Sequence, residues 1–267
     1  MIRHIFTDMD GTLLDSQGQL TATNAEKILS AKIPVTLVSA RAPIEMAPAI
    51  DKLHLTGAQI AFNGGLIFLP DGGRFTPLAQ TPLSHAAVRK LLTVIARDFP
   101  KVSLSYYDRS HWYTARIDDG IKYEQSLTEQ APQLIVKPAD TANALHIFKI
   151  MLITFNEAEM EALEQALTAL AMPEIAVQRS GGAYLEITAK AAKKSTGIQY
   201  VLEHLHLRRE ETAAFGDGHN DLPMLEAVGT PIAMANAHED VKKVCTYITD
   251  GNDEDGVGVG ILRWLKD

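Results

Sequence analysis

One cysteine, Cys245, stands in 267 residues, so the chain can close no internal disulfide and build no cysteine-based metal site. Its plainest reading is a small buried residue near a strand. Nowhere does an apolar run approach the ~20 residues that span a bilayer. The N-terminus runs into acidic residues, not into a long apolar segment with a cleavage site. These absences point to a cytoplasmic protein with no membrane partner. Positive charge is also short: 25 Lys and Arg face 33 Asp and Glu, a net charge of −8, which argues against a nucleic-acid partner. The nine histidines show neither H-x-x-x-H nor H-E-x-x-H spacing, and no G-x-x-x-x-G-K-[ST] stretch suggests a P-loop. Gly256-Val257-Gly258-Val259-Gly260 lacks dinucleotide-loop spacing and reads as a loop and helix start.

What is present is a chain with 46% hydrophobic residues, enough for one large or two medium domains. Its most informative stretch is residues 2–14. Ile5-Phe6 leads into Asp8 and Asp10, and Gly11 breaks the extended pattern. Residues two apart on a strand point the same way, so both carboxylates leave one side of a strand end. Two like charges so close imply a cation, and oxygen-only ligands favour magnesium over zinc. A solvated Asp-x-Asp-Gly turn is the alternative. Leu13-Leu14, in place of further polar loop, weighs against it.

Further along, Thr23 or Asn24 could cap a helix through Ser30, and Ile33–Val38 reads as a buried parallel strand ending in Ser39-Ala40-Arg41. A hydroxyl at such a strand end, followed by Pro43 at a first helical position, suits either a phosphate ligand or an N-cap. Gln59–Phe62 is a short strand turning at Asn63-Gly64-Gly65. This alternation predicts an α/β fold, an open Rossmann-like parallel sheet binding ligands beyond its strands' carboxyl ends.

The pattern changes near Pro77–Pro82. Ser84 and Asn156 read as N-caps of two amphipathic helices, one through Phe99 and one over Glu157–Leu170. Between and after them lie strand-like runs at 102–107, 111–116, 147–155, 175–179 and 184–188. Tyr106, Tyr107, Trp112 and Tyr113 have the look of a base-stacking platform, but the acidic balance favours packing. We therefore expect a discontinuous core domain at 1–81 and 189–267, with an inserted α+β cap domain at 82–188. From Lys190 the α/β rhythm returns: a helix near Lys194, a strand at 212–215, then Gly216-Asp217-Gly218-His219-Asn220-Asp221, two strands at 232–234 and 246–249, and a closing helix at 260–265.

Asp8 with Asp10, Asp217, Asp221 and a lysine could assemble a magnesium site beside a cation, the requirement of phosphoryl transfer. At these residues the sequence resembles the haloacid dehalogenase-like superfamily: Phe6-Thr7-Asp8-Met9-Asp10-Gly11-Thr12-Leu13-Leu14 and Gly216–Asp221 match its first and fourth motifs. The insertion resembles the cap of the Cof-type sugar-phosphatase branch. The resemblance implies that Asp8 is the nucleophile and forms an aspartyl-phosphate, and that Asp10 is the acid and base. It implies that Mg2+ is held by Asp8, Asp217 and the Asp10 carbonyl, with Asp221 fixing a bound water or the lysine. Ser39, Lys194 and Asn220 would hold the phosphoryl group. Arg41, Asn63 and the turn Arg179-Ser180-Gly181-Gly182 would lie near substrate. Ala40 stands where the family has glycine, leaving the backbone N–H in place. Lys193 competes with Lys194, and spacing from Glu186-Ile187-Thr188 favours the latter. The implied function is hydrolysis of a small phosphorylated metabolite, a sugar phosphate; a phosphomutase and a non-catalytic phosphometabolite sensor are the alternatives.

Overall fold

The computed structural model describes residues 1–135 and 145–266. In chain order, the first stretch is β1 (His4–Thr7), α1 (Ala22–Ala31), β2 (Val35–Leu37), α2 (Pro43–Lys52), β3 (Gln59–Ala61), β4 (Leu66–Asp71) and β5 (Arg74–Gln80). There follow α3 (His85–Asp98), β6 (Ser103–Tyr107), β7 (Trp112–Thr114), α4 (Asp119–Thr128), β8 (Gln133–Leu134), β9 (Lys149–Ile153), α5 (Glu157–Ala169), β10 (Ile175–Ser180) and β11 (Tyr184–Ala189). The chain closes with α6 (Lys194–His204), β12 (Thr212–Gly216), α7 (Leu222–Leu225), β13 (Thr230–Ala233), α8 (Glu239–Val244), β14 (Tyr247–Ile248) and α9 (Gly256–Gly260). Contacts divide it into two units: Met1–Arg41 with Met46–Ala79 and Lys193–Asp267, and Ala42–Glu45 with Gln80–Ala192.

The first unit is an α/β layer built on a five-stranded sheet in the order β14-β13-β12-β1-β2. All its pairings are parallel. β1, β2 and β12 are buried along their whole length, as a parallel sheet covered on both faces requires. Because β1 and β12 run side by side from His4↔Thr212 to Thr7↔Phe215, the residues after Thr7 and Phe215 emerge at one sheet edge.

Four local expectations need correction. The first helix is capped by Thr21, whose Oγ1 accepts the Asn24 N–H at 3.0 Å, so it starts before Thr23. β3 is not a full member of the parallel sheet. It pairs antiparallel with β4 in a separate sheet, β3-β4-β5, and touches β2 through the bridge Val38↔Ile60. The β4–β5 hairpin and α4 had no expected counterpart: Gly72-Gly73 marks that hairpin turn, and Asp118 caps α4 by accepting the Ile121 N–H. The closing helix begins at Gly256, not Gly260, because the glycines there let it approach α1: a Cβ on Gly258 would lie 2.6 Å from that of Lys27.

In the second unit, α3 and α5 carry the expected apolar faces and the expected caps, Ser84 and Asn156. Both pack on one face of a six-stranded sheet ordered β10-β11-β9-β6-β7-β8, against Tyr106, Tyr113, Ile150, Leu152, Leu185 and Ile187. α4 lies on the other face, where a Cβ on Gly120 would come within 2.4 Å of Ser103 Oγ. The aromatic run is interior packing: Tyr106 stacks on Tyr113 and Tyr107 on Trp112. Among the described residues no helix is long and apolar enough to cross a membrane.

Candidate active site

At the carboxyl end of β1 the chain turns sharply, and the turn is nailed down from below by Met9, Leu13 and Leu14, all buried. The Thr12 and Leu14 N–H groups both donate to the Met9 carbonyl. Gly11 sits at φ +75°, and a Cβ there would fall 2.4 Å from Asp217 Oδ2. Glycine is therefore required for the first acidic loop to approach the second. Thr12 Oγ1 closes the approach by donating to Asp217 Oδ1 at 2.7 Å, and Asn236 Nδ2 donates to the Gly11 carbonyl at 2.8 Å.

The outcome is a group of three carboxylates, Asp8, Asp217 and Asp221, with one oxygen of each within 4.8 Å of the others. The buried Lys194 ammonium lies among them, hydrogen-bonded to Asp8 Oδ1 and, at 2.7 Å, to Asp221 Oδ1. Asp221 is committed on both sides, because its Oδ2 accepts the N–H groups of Asp217 and Gly218, each at 3.0 Å. Its geometry is that of a residue fixing the lysine and the Asp217 loop. Lys193, by contrast, is exposed at the N-cap of α6.

Electrostatics follow from this crowding. Burial, reinforced by Asp221, pushes the Asp8 carboxyl above the usual carboxylate range, against the opposing pull of Lys194. Burial also raises Asp217, with the Thr12 hydrogen bond opposing and Asp221 adding to the rise. Lys194 is disfavoured as a cation by burial, but Asp8 and Asp221 more than reverse this and hold it protonated. Three converging carboxylates against one ammonium leave an all-oxygen donor set with excess negative charge, which fits a hard divalent cation.

The remaining expected residues fall into two sets. Ser39 is fully buried at the end of β2 and accepts the Arg41 N–H at 3.1 Å; its own carbonyl accepts the Asn63 N–H at 2.8 Å. Ala40 lies between Ser39 and Arg41, and Asn63 follows β3 at φ +54° with its Oδ1 buried and without a hydrogen-bond partner among the described residues. The Asp10 carboxylate is not part of the three-carboxylate group. Arg41 holds it in a two-pronged pair, Nε to Oδ2 at 2.9 Å and Nη2 to Oδ1 at 2.5 Å. Asn220 is exposed. His219, inside the fourth loop, is also exposed and stacks on His238 at 4.6 Å between ring centres. Arg179, in the second unit, is paired with Glu157.

Three contributors escaped the sequence reading. Thr12 and Asn236 tie the acidic loops together, and Gly64, at φ +97°, accommodates Lys193: a Cβ there would sit 2.1 Å from the Lys193 carbonyl. Asn236 follows the carboxyl end of β13, so the strand-end rule that singled out Asp8 and Asp217 would have found it. Cavity volume alone misleads here. A cavity of about 570 Å³ lies in the first unit among Arg3, His4, Val35, Leu53 and Leu205, and no carboxylate among the described residues lines it.

Comparison with known proteins agrees with this geometry. A family model described as haloacid dehalogenase-like hydrolase matches residues 5–261. A Haemophilus influenzae protein named putative phosphatase is 28% identical over 263 residues, covering 97% of each chain. A Bacillus subtilis protein named 5-amino-6-(5-phospho-D-ribitylamino)uracil phosphatase is 26% identical over 290 residues, covering 98% of each chain. Among solved structures, a haloacid dehalogenase-like hydrolase from Bacteroides thetaiotaomicron aligns with a TM-score of 0.88 and 28% identity over 98% of this chain and 99% of that one. The Thermotoga maritima structure, with a TM-score of 0.89 at 24% identity, covers 100% of this chain and 99% of that one and shares the fold. With its acidic loops, its parallel sheet and this match along nearly its whole length, the chain belongs to the haloacid dehalogenase-like hydrolases, of the Cof type.

Proposed function

We propose that this hydrolase is a magnesium-dependent phosphatase that cleaves the phosphate monoester of a small metabolite, a sugar phosphate, in two steps through Asp8. The observation carrying this reading is the convergence on Asp8 of a buried ammonium, Lys194, and a second carboxylate loop, Asp217, from positions about two hundred residues away. That arrangement prepares positive charge for a phosphoryl group before it arrives. Relatives named as phosphatases support the reaction class.

In the first step an Asp8 carboxylate oxygen bonds to phosphorus as the ester P–O bond breaks, and Asp10 gives its proton to the departing alcohol. In the second, Asp10 takes a proton from water, whose oxygen displaces Asp8 and frees inorganic phosphate. Asp10 must leave Arg41 to do either, and an incoming phosphate dianion is a competing partner for that guanidinium. Ser39, Lys194, Asn220 and the backbone at Ala40 hold the phosphoryl oxygens, with Arg41 and Asn63 toward the substrate. Asp8, Asp217 and the Asp10 carbonyl hold Mg2+, which supplies charge neutralisation on the transferring oxygens. Asp221 keeps Lys194 in register. A cytoplasmic enzyme without nucleic-acid or membrane partners fits the net charge of −8 and the single cysteine.

A panel of phosphorylated metabolites assayed with magnesium, with EDTA and with Asp8→Asn tests this. Turnover should require magnesium and vanish in Asp8→Asn, and acid-quenched enzyme should carry one phosphate on Asp8. Turnover persisting in Asp8→Asn would overturn the nucleophile; isomerised rather than hydrolysed product would make the protein a mutase.

A further inference from the structure

The cavity of about 570 Å³ in the first unit lies at the amino end of β1, whereas Asp8 follows the carboxyl end of that strand. Its volume is that of a small-molecule site. Three helices finish around it: Leu29 and Lys32 belong to the end of α1, Leu53 to that of α2 and Leu205 to that of α6. Val35 and Leu53 are buried walls, while Leu29 and Leu205 line it although 41% and 45% exposed. Apolar surface held open in this way favours an apolar occupant, which removes it from water.

A second observation sets one polar group of that occupant. His4, only 5% exposed, lines the cavity from the first position of β1. Its Nε2 lies 2.9 Å from Thr36 Oγ1, and the Thr36 hydroxyl donates to the Ala58 carbonyl at 2.8 Å. A hydroxyl has one proton to give, so Thr36 accepts from His4 and Nε2 carries the ring proton. Burial lowers the His4 pKa to about 4, which leaves the ring neutral at pH 7. Nδ1 is therefore an acceptor, and it has no hydrogen-bond partner among the described residues. An occupant that presents an O–H there answers it.

Charge sets the other. In a chain with 33 acidic and 25 basic residues, Arg3 and Lys32 line this cavity and no carboxylate among the described residues does. Arg3 is paired with Glu211 at 3.2 Å, but the Lys32 ammonium has no ion pair among the described residues. A cation at the carboxyl end of a helix is ordinary, so Lys32 gains its meaning from the apolar walls and from His4 beside it.

We propose that this cavity binds a small apolar carboxylic acid that carries a hydroxyl. The apolar body lies against Val35, Leu53 and Leu205, the hydroxyl donates to His4 Nδ1, and the carboxylate pairs with Lys32. The site is distinct from the carboxylate group at Asp8 and does not rest on the phosphatase reading.

Isothermal titration of the full chain with three probes tests this: 4-hydroxyphenylacetate, phenylacetate, which lacks the hydroxyl, and 4-hydroxyphenethyl alcohol, which lacks the carboxylate. The first should bind about fivefold tighter than either of the others, the net worth of one polar contact. His4→Phe should erase its advantage over phenylacetate alone. Lys32→Asn should erase its advantage over the alcohol alone, and asparagine suits the left-handed backbone at this position, φ +57°. Inorganic phosphate should not displace the probe, because its site would lie at the other end of β1. Melting temperatures show whether the variants fold; should His4→Phe not fold, the probe series and the exposed Lys32→Asn decide by themselves. No binding of 4-hydroxyphenylacetate, equal affinity for all three probes, an advantage that survives its variant, or displacement by phosphate each overturns the proposal.

Discussion

Lys194 reaches Asp221 Oδ1 at 2.7 Å and Asp8 as well, so one buried ammonium joins loops from the two ends of the chain. Such a bridge stabilises only while all three charges are present, because a carboxylate left buried without its partner keeps its full desolvation penalty. Lys194→Met should therefore cost about 3–5 kcal/mol in urea unfolding and at least a hundredfold in turnover. Adding Asp221→Asn removes one orphaned charge and should recover part of the stability but none of the activity. Full additivity of the two changes would show that the residues are not coupled.

Magnesium should behave as a stabilising ligand. Asp217 has a raised pKa, so the folded protein disfavours its ionised form, and a cation beside it relieves that cost. At a hundred times its dissociation constant the ion should add about 2.7 kcal/mol, visible as a higher melting temperature. In Asp217→Asn the metal-free protein should melt no lower than the parent, and the magnesium increment should shrink or vanish. An unchanged increment would place the cation elsewhere.

Gly64→Ala and Gly73→Ala form a matched pair. Both glycines have positive φ, +97° and +88°, but a Cβ at Gly64 would meet the Lys193 carbonyl at 2.1 Å whereas nothing lies within 4 Å of one at Gly73. Gly73→Ala should cost about 1 kcal/mol from backbone conformation alone. Gly64→Ala should cost several times that and reduce kcat, because it displaces the residue next to Lys194. Equal effects would mean that the turn after β3 yields freely.

His4 gives a stability signature in acid. Burial lowers its pKa to about 4, from an ordinary 6.5, and its Nε2 lies 2.9 Å from Thr36 Oγ1. The unfolded chain binds a proton below pH 6.5 that the folded chain refuses until about pH 4, so this residue's contribution falls as pH drops through that window. The loss amounts to about 3 kcal/mol at most. Denaturation at pH 7 and pH 4.5 should show a smaller acid loss in His4→Gln than in the parent.

Local chemistry was legible wherever it depends on near neighbours. Ser84 and Asn156 cap the helices expected of them, since capping is decided within three residues. The parallel sheet followed from apolar runs ending in polar turns. Misjudged features depend on distant partners or on weak local signals. Thr21 rather than Thr23 caps α1, and its hydroxyl is held by Asp255 at 2.5 Å, from the far end of the chain. β3 resembles a core strand by composition, but its pairing with β4 needed the unexpected hairpin.

By itself, then, the sequence determined that Asp8 and Asp10 leave one strand end together and that acidic and lysine-bearing loops recur at others, because strand geometry and turn chemistry are local. Tertiary structure alone decided which carboxylates meet. It put Asp217 and Asp221 with Asp8, turned Asp10 to Arg41, and brought the Lys194 ammonium to Asp8 and Asp221. The physical reason is that β1 and β12 lie side by side, and only a glycine at position 11 lets the loops beyond them close to contact.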